Sequence, residues 1–227
     1  MCGRTSLFTP QPTLEERFDA TAAHPIRPRY NVPPGDDLAV VTNEAPETID
    51  LYEWGLVPHW ADDPGAIHRP INARAETLAN KPMFRDALDR RRALVLVDGY
   101  YEWLERRDDT KQPYRIARQD GEPFALAGLW ERWENGSVHE TVTIVTTAAN
   151  DRIRPIHDRM PVVLPRDRED EWLDRGNAGS VLGPYPLDGL TAYPVSTAVN
   201  DPANDDPTIV DPIDPDRTGQ TGLDEFA

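Results

Sequence analysis

The side chains of this sequence that could make or break bonds cluster at four places. Cys2 is the only cysteine, and it stands at the second position, where a terminal arm ordinarily frays. Small residues after an initiator methionine favour removal of that methionine. The mature chain is therefore expected to begin at Cys2, with a free α-amine and a thiol on one residue. Such a 1,2-aminothiol condenses with an aldehyde through its amine, whose reference pKa is about 7.7 to 8.0, and the thiol then closes a five-membered ring. The second place is "INARAE", where Asn72, Arg74 and Glu76 fall at alternate positions and so face one way in an extended segment. "DGYYEW" inserts Glu102 among aromatics directly after an apolar run, and "PIHDRMP" sets His157 beside Asp158 and Arg159 just before another. Burial beside Tyr101 and Trp103 would raise the pKa of Glu102, the direction an acid–base role needs.

Each place also has a purely structural reading. A carboxylate among aromatics can pair with an arginine in the core wall. A histidine next to Arg and Asp can be a satisfied structural group, Asn72 can cap a turn, and Arg74 can bridge to Glu76. Trp60 and Trp54 can stack on a base or simply fill the core.

The elements that would position these groups are mostly strands. "PTLEERFDA" predicts a short helix with a capping pattern at Thr13 and Glu16. A Pro/Gly loop, "RPRYNVPPGDD", leads into a strand at "LAVVT", and "IDLYEWGLVPHW" predicts a strand ending in an aromatic turn. "AETLANKPMFRDALDRRR" predicts a loop and a helix ending on Arg90, Arg91 and Arg92, cations that complement its dipole. Then "ALVLVDGYYEWLE", "QPYRIARQ", "FALAGLWERW" and "SVHETVTIVTTAAN" are four strand-like runs separated by turn residues. "MPVVLP" predicts another strand, and "DREDEWLDRG" a helix ending at Gly176. Sequential strands joined by tight turns imply an α+β class: a single β-rich domain with a largely antiparallel sheet or barrel-like core and marginal helices. The domain is expected over residues 2–199. Residues 200–227 form an acidic, Pro/Asp-rich tail expected to be mostly disordered, with "TIV" as a possible edge strand.

Composition narrows the function. The chain has 227 residues, enough for one large domain. It shows no apolar run of membrane-spanning length and no secretory signal, so a soluble, cytoplasmic protein is expected. Five scattered histidines and one cysteine supply no metal-site spacing, and no cofactor is called for. The 40 acidic residues face 24 basic ones, of which only Lys81 and Lys111 are lysines. Such a surface suits concentrated salt. On its face a net charge of −16 argues against nucleic acid, subject to where the arginines lie.

Taken in order, "MCGR", "RYNVPPG", "WGLVPHW", "INARAET", "DGYYEW", "IVTTAAND" and "IHDRMPVVL" resemble the motifs of the SRAP family, the SOS response-associated peptidases and abasic-site processing proteins. The resemblance runs from Cys2 to about Val199. It implies a monomeric, nucleoid-associated protein that binds single-stranded DNA and closes covalently on abasic sites, with an associated lyase activity. The runner-up activities are self-removal of Met1 as a cysteine peptidase and non-catalytic strand binding. By motif, the resemblance assigns Glu102 to acid–base work and His157 to proton transfer at the Schiff base. Asn72 would orient the terminus or the sugar. Arg4, Arg74 and Arg159 would contact phosphate, Trp60 would stack on a base, and Thr146 would lie near the lesion. After "PVSTAVN" the chain departs from the family pattern: Asp201, Asp205 and Asp206 occupy a region often basic there, which puts DNA contacts from this segment in question.

Overall fold

Where the strands pair decides the architecture. In the computed structural model, which describes residues 2–174 and 181–215, they form two sheets. The smaller has the order β14 (Leu190–Pro194), β9 (Lys111–Arg118), β8 (Gly99–Glu105), β1 (Thr5–Leu7) and β3 (Arg29–Val32). The larger runs β12 (Arg159–Pro161), β11 (Val138–Ala148), β10 (Phe124–Glu134), β7 (Arg92–Val97), β4 (Asp37–Thr42), β5 (Ala45–Trp54) and β2 (Thr21–Ala22). On it, β13 (Val163–Leu164) pairs with β10 and β6 (Asn72–Arg74) with β11. Pairing is antiparallel except where β11 meets β5 and β6, and where β2 meets β5. The expected β-rich α+β class with a largely antiparallel core is what forms.

Strand β7 shows why its sequence is apolar without alternation. Its residues are buried throughout. Ala93, Val95 and Val97 join Val32, Tyr100, Ile116 and Leu126 in the core between the two sheets, while Leu94 and Leu96 face the opposite way. On that outer face α1 (Gln11–Phe18) contributes Leu14, α2 (Pro82–Arg90) Phe84 and Ala87, and α3 (Glu169–Leu173) Trp172. A strand covered on both faces needs no polar side.

The run "ALVLVDGYYEWLE" is two strands in two sheets, because Asp98 redirects the chain. The Asp98 carboxylate accepts the backbone N–H of Phe8 and of Thr9, the latter at 2.8 Å, together with the Thr9 hydroxyl. Its own N–H donates to Ser6 O at 2.8 Å. These bonds splice β1 alongside β8. Gly99 follows because a Cβ there would lie 2.8 Å from Ile116 O, closer than packing allows.

Other expectations change in detail. Helix α1 starts at Gln11, with Pro10 as N-cap and Pro12 in its first turn. Thr13 is therefore inside the helix, since proline's fixed φ sets the start. The three arginines divide: Arg90 ends α2, Arg91 caps it, and Arg92 enters β7 buried, donating to Asp174 O at 2.5 Å. "MPVVLP" breaks into β12 and β13 at Val162, whose N–H and C=O pair with different strands, β11 and β10. Glu76 leaves the extended pattern, because a 3-10 turn begins at Ala75.

The acidic segment packs as far as it is described. Asp205 accepts the backbone N–H of Tyr30 at 2.5 Å and of Asn31 at 2.9 Å, and pairs with Arg29, so it caps the open edge of β3. Ile209 is buried with Tyr101, Val195 and Val199. "TIV" lies in a 3-10 turn, Pro207–Val210, rather than a strand. The helix expected to end at Gly176 stops at Leu173, with extended Asp174 as its C-cap; Met1, residues 175–180 and residues 216–227 lie outside the described residues.

Candidate active site

The splice between the sheets carries the chain's start into the interior. Cys2 is fully buried in the inter-sheet core. Its carbonyl accepts the side-chain N–H of Asn72 at 2.7 Å. Asn72 opens β6, in register with Ile144 of β11, so the larger sheet grips the terminus that the smaller sheet delivers.

Glu102 stands on β8 opposite Tyr114 and is 2% exposed. Period-two alternation puts Tyr100 on its face of the strand, while Tyr101 and Trp103 pack in a separate apolar cluster with Val195 and Val199. The aromatics beside Glu102 in sequence are thus not its main cover. Burial lifts its carboxyl to about 7. Burial likewise pushes the Cys2 thiol well up and the charge of Glu102 adds to this, while the backbone N–H of Arg4 pulls the other way. The fully buried Tyr100 phenol is raised by burial, then by the charges of Cys2 and Glu102, and its hydroxyl has no hydrogen-bond partner among the described residues. Cys2, Tyr100 and Glu102 thus form one electrostatically coupled group. The sequence reading passed over Tyr100, although its place two residues before Glu102 could have shown it.

His157 precedes β12, and its Nδ1 accepts the Arg159 backbone N–H at 2.9 Å. Burial lowers its pKa, so the ring is neutral with the hydrogen on Nε2. Asp158 Oδ1, 3.0 Å from the same Nδ1, is therefore not half of an ion pair. Glu102 and His157 line one cavity of about 730 Å³ together with Trp103, Lys111 and Asn200. A second cavity, of about 570 Å³ and lined by Leu7, Ile26, Arg29 and Asp37 among others, shares no residue with it.

The expected DNA contacts separate into groups. Thr146 is buried on β11, paired with Arg74 on one side and Pro161 on the other. Arg159 donates to Glu76 at 2.6 and 3.0 Å and to Thr146 O at 2.8 Å, which holds the Glu76 carboxyl below its usual range. Arg74 is exposed at the end of β6. These residues share the end of the sheet next to His157. Arg4 is elsewhere: it donates to Asn31 Oδ1 at 2.6 Å and to Val199 O at 3.0 Å. Trp60 is 54% exposed, on a loop anchored by Val57 to Thr141 and by Ala61 to Trp133. Thr141 is five residues, about 17 Å of extended strand, from Thr146. Trp54 is buried and donates to Ile71 O at 2.9 Å, so its ring offers no stacking face. Among the described residues no group of three or more His, Cys, Asp or Glu could hold a metal ion.

Known proteins resemble this chain in sequence and in fold. A family model described as SOS response associated peptidase (SRAP) matches residues 1–202. The abasic site processing protein YoqW of Bacillus subtilis is 39% identical over 222 residues, 93% of this chain and 99% of its own. The abasic site processing protein YedK of Escherichia coli is 33% identical over 94% of this chain and all of its own. A crystal structure of a protein from Bacteroides thetaiotaomicron superposes with a TM-score of 0.86 at 27% identity, covering 93% of this chain and all of that one.

Proposed function

The chain belongs to the SRAP family, and from that premise we propose that it processes abasic sites in single-stranded DNA by trapping them covalently through Cys2. The single observation that supports this most is the hold of Asn72 on the Cys2 carbonyl. A terminus clamped beside a buried carboxyl is placed to react.

The chemistry follows from these groups. The ring-opened abasic sugar presents an aldehyde. With Met1 removed, the neutral α-amine of Cys2 adds to the carbonyl carbon, and loss of one water leaves an imine. The thiol sulfur then adds to the imine carbon, its proton ending on nitrogen, and a thiazolidine closes. Its raised pKa keeps the thiol protonated until that step, so the amine acts first and the sulfur second. Glu102, with a pKa near neutral pH, can give a proton to the departing hydroxyl, recover one from the nitrogen as the neutral imine forms, and relay the thiol proton to that nitrogen. Neutral His157 serves ring opening and reversal, and elimination at the imine would cut the strand on its 3′ side. Arg74, Arg159 and Thr146 would border the path of the strand, with Trp60 on a more distant loop. Arg4 best supports a positioning role, since its guanidinium is engaged with Asn31 and Val199.

The test is to mix the protein with an abasic oligonucleotide, denature, and resolve the adduct. Wild type is expected to give a stable shifted band. Cys2→Ser should give none, because its oxygen is a far weaker nucleophile toward the imine. An adduct of undiminished yield in that variant would reject Cys2.

A further inference from the structure

The chemistry above leaves the carboxamide of Asn200 without a task. Asn200 ends a 3-10 turn, Thr197–Asn200, whose N-cap Ser196 accepts the Ala198 N–H. The backbone on either side of it is clamped. Buried Asn31 shares its side-chain N–H groups among the carbonyls of Val199, Asp201 and Asn204 at 2.8 to 3.2 Å, and Arg4 donates to Val199 O at 3.0 Å. The side chain itself is exposed and lines the cavity of Glu102 and His157.

Trp103 Nε1 lies 2.7 Å from Asn200 Oδ1. An indole N–H can only donate, so this contact fixes the carboxamide: oxygen toward Trp103, NH2 away from it. No described residue accepts from that NH2. The other polar groups of the wall are Lys111, His157 with its hydrogen on Nε2, and Glu105, which pairs with Lys111 at 3.2 Å. The Asn200 NH2 is thus a donor on the cavity wall with no acceptor among the described residues, and an acceptor is the group it would meet.

We propose that Asn200 is a substrate-binding residue whose side-chain NH2 donates to a non-bridging oxygen of the phosphate next to the abasic sugar. The inference rests on the abasic-DNA reading and gives it a contact from the acidic segment. A base is missing at the lesion, whereas a phosphodiester flanks it on both sides. Trp103, which orients the amide, leaves the opposite face of β8 from Glu102, yet Glu102, Trp103 and Asn200 all line the one cavity. A sugar at Glu102 therefore brings a flanking phosphate within reach of Asn200.

Asn200→Asp tests this, because it keeps an oxygen for the indole and replaces the donors with a repelling carboxylate. Initial rates of adduct formation are measured with an abasic oligonucleotide and with free 2-deoxyribose, which has the aldehyde but no phosphate. Relative to wild type, the oligonucleotide-to-sugar rate ratio is expected to fall at least about tenfold in Asn200→Asp, and about fivefold in Asn200→Ala, the order of one lost hydrogen bond. The alanine variant carries the test alone should the aspartate variant fold poorly. An unchanged ratio, or equal losses on both substrates, overturns the phosphate contact while leaving the abasic-site reading standing. Wild type inert toward both substrates overturns that reading, and the inference with it.

Discussion

At the residue scale, the site concentrates groups that prefer to be neutral. Cys2, Tyr100 and Glu102 share one buried volume, and burial raises the pKa of each. Under the proposed chemistry this is useful: few full charges compete in the site, and Glu102 is the member of the group whose proton is exchangeable near neutral pH. It also has a cost. The folded chain holds the Glu102 proton to about pH 7, against about 4.5 for an ordinary glutamate, so it binds a proton that the unfolded chain releases. The stability this contributes is complete below about pH 4.5 and is lost as pH rises through 7. Glu102→Gln cannot ionise. It should match wild type in stability at pH 4 and exceed it at pH 8 by up to roughly 3 kcal/mol, while forming adduct roughly a hundredfold more slowly. Urea midpoints at the two pH values and adduct time courses check both halves; greater stability of wild type at pH 8 would contradict the assignment.

At the element scale, two carboxylates take positions where a further strand would otherwise be required. Asp98 ends β7 and binds the N–H groups that follow β1, so one apolar run feeds two sheets. Asp205 does the same for the open edge of β3, and edge N–H groups left bare invite pairing with other chains. The acidic segment is thus tied to the β1–β3 side of the site, where Arg4 and Asn31 meet Val199. Asp205→Ala is expected to lower stability by about 1–3 kcal/mol, since two part-buried donors lose their acceptor. Amide exchange should accelerate at Tyr30 and Asn31 ahead of the rest of the smaller sheet. Protection unchanged at those two amides would show that the cap is dispensable.

At the scale of the whole molecule, the proposed function requires a net charge of −16 to coexist with a polyanionic substrate. The reconciliation is local. Many arginines are spent within the protein: Arg17 on Glu169, Arg91 on Asp86 and Glu131, Arg118 on Asp120. Arg74 stays exposed beside the site. Reversible affinity built on so few phosphate contacts should be weak, and weaker with salt through counterion release. A covalent bond is indifferent to salt once formed. Raising salt about tenfold is therefore expected to abolish retention of intact single strands, yet to leave the final yield of abasic adduct nearly unchanged, provided reaction runs to completion. Gel shift and denaturing gels on the same samples separate the two. No helix among the described residues is long and apolar enough to cross a membrane.

Local chemistry was legible in the sequence. The lone Cys2, the Glu102 set behind an apolar run and the ordered motifs named the family and its β-rich class, because residue type and short-range periodicity carry that information directly. Tertiary structure alone decided the rest. It divided one apolar run between two sheets at Asp98, engaged Arg4 with Asn31 and Val199, and turned Glu76 from Arg74 to Arg159. It also folded part of an acidic tail against β3 and set Asn200 on the wall of the cavity. Each of these depends on a partner 27 to 195 residues away or on burial from both sides, and no periodicity along the chain encodes either.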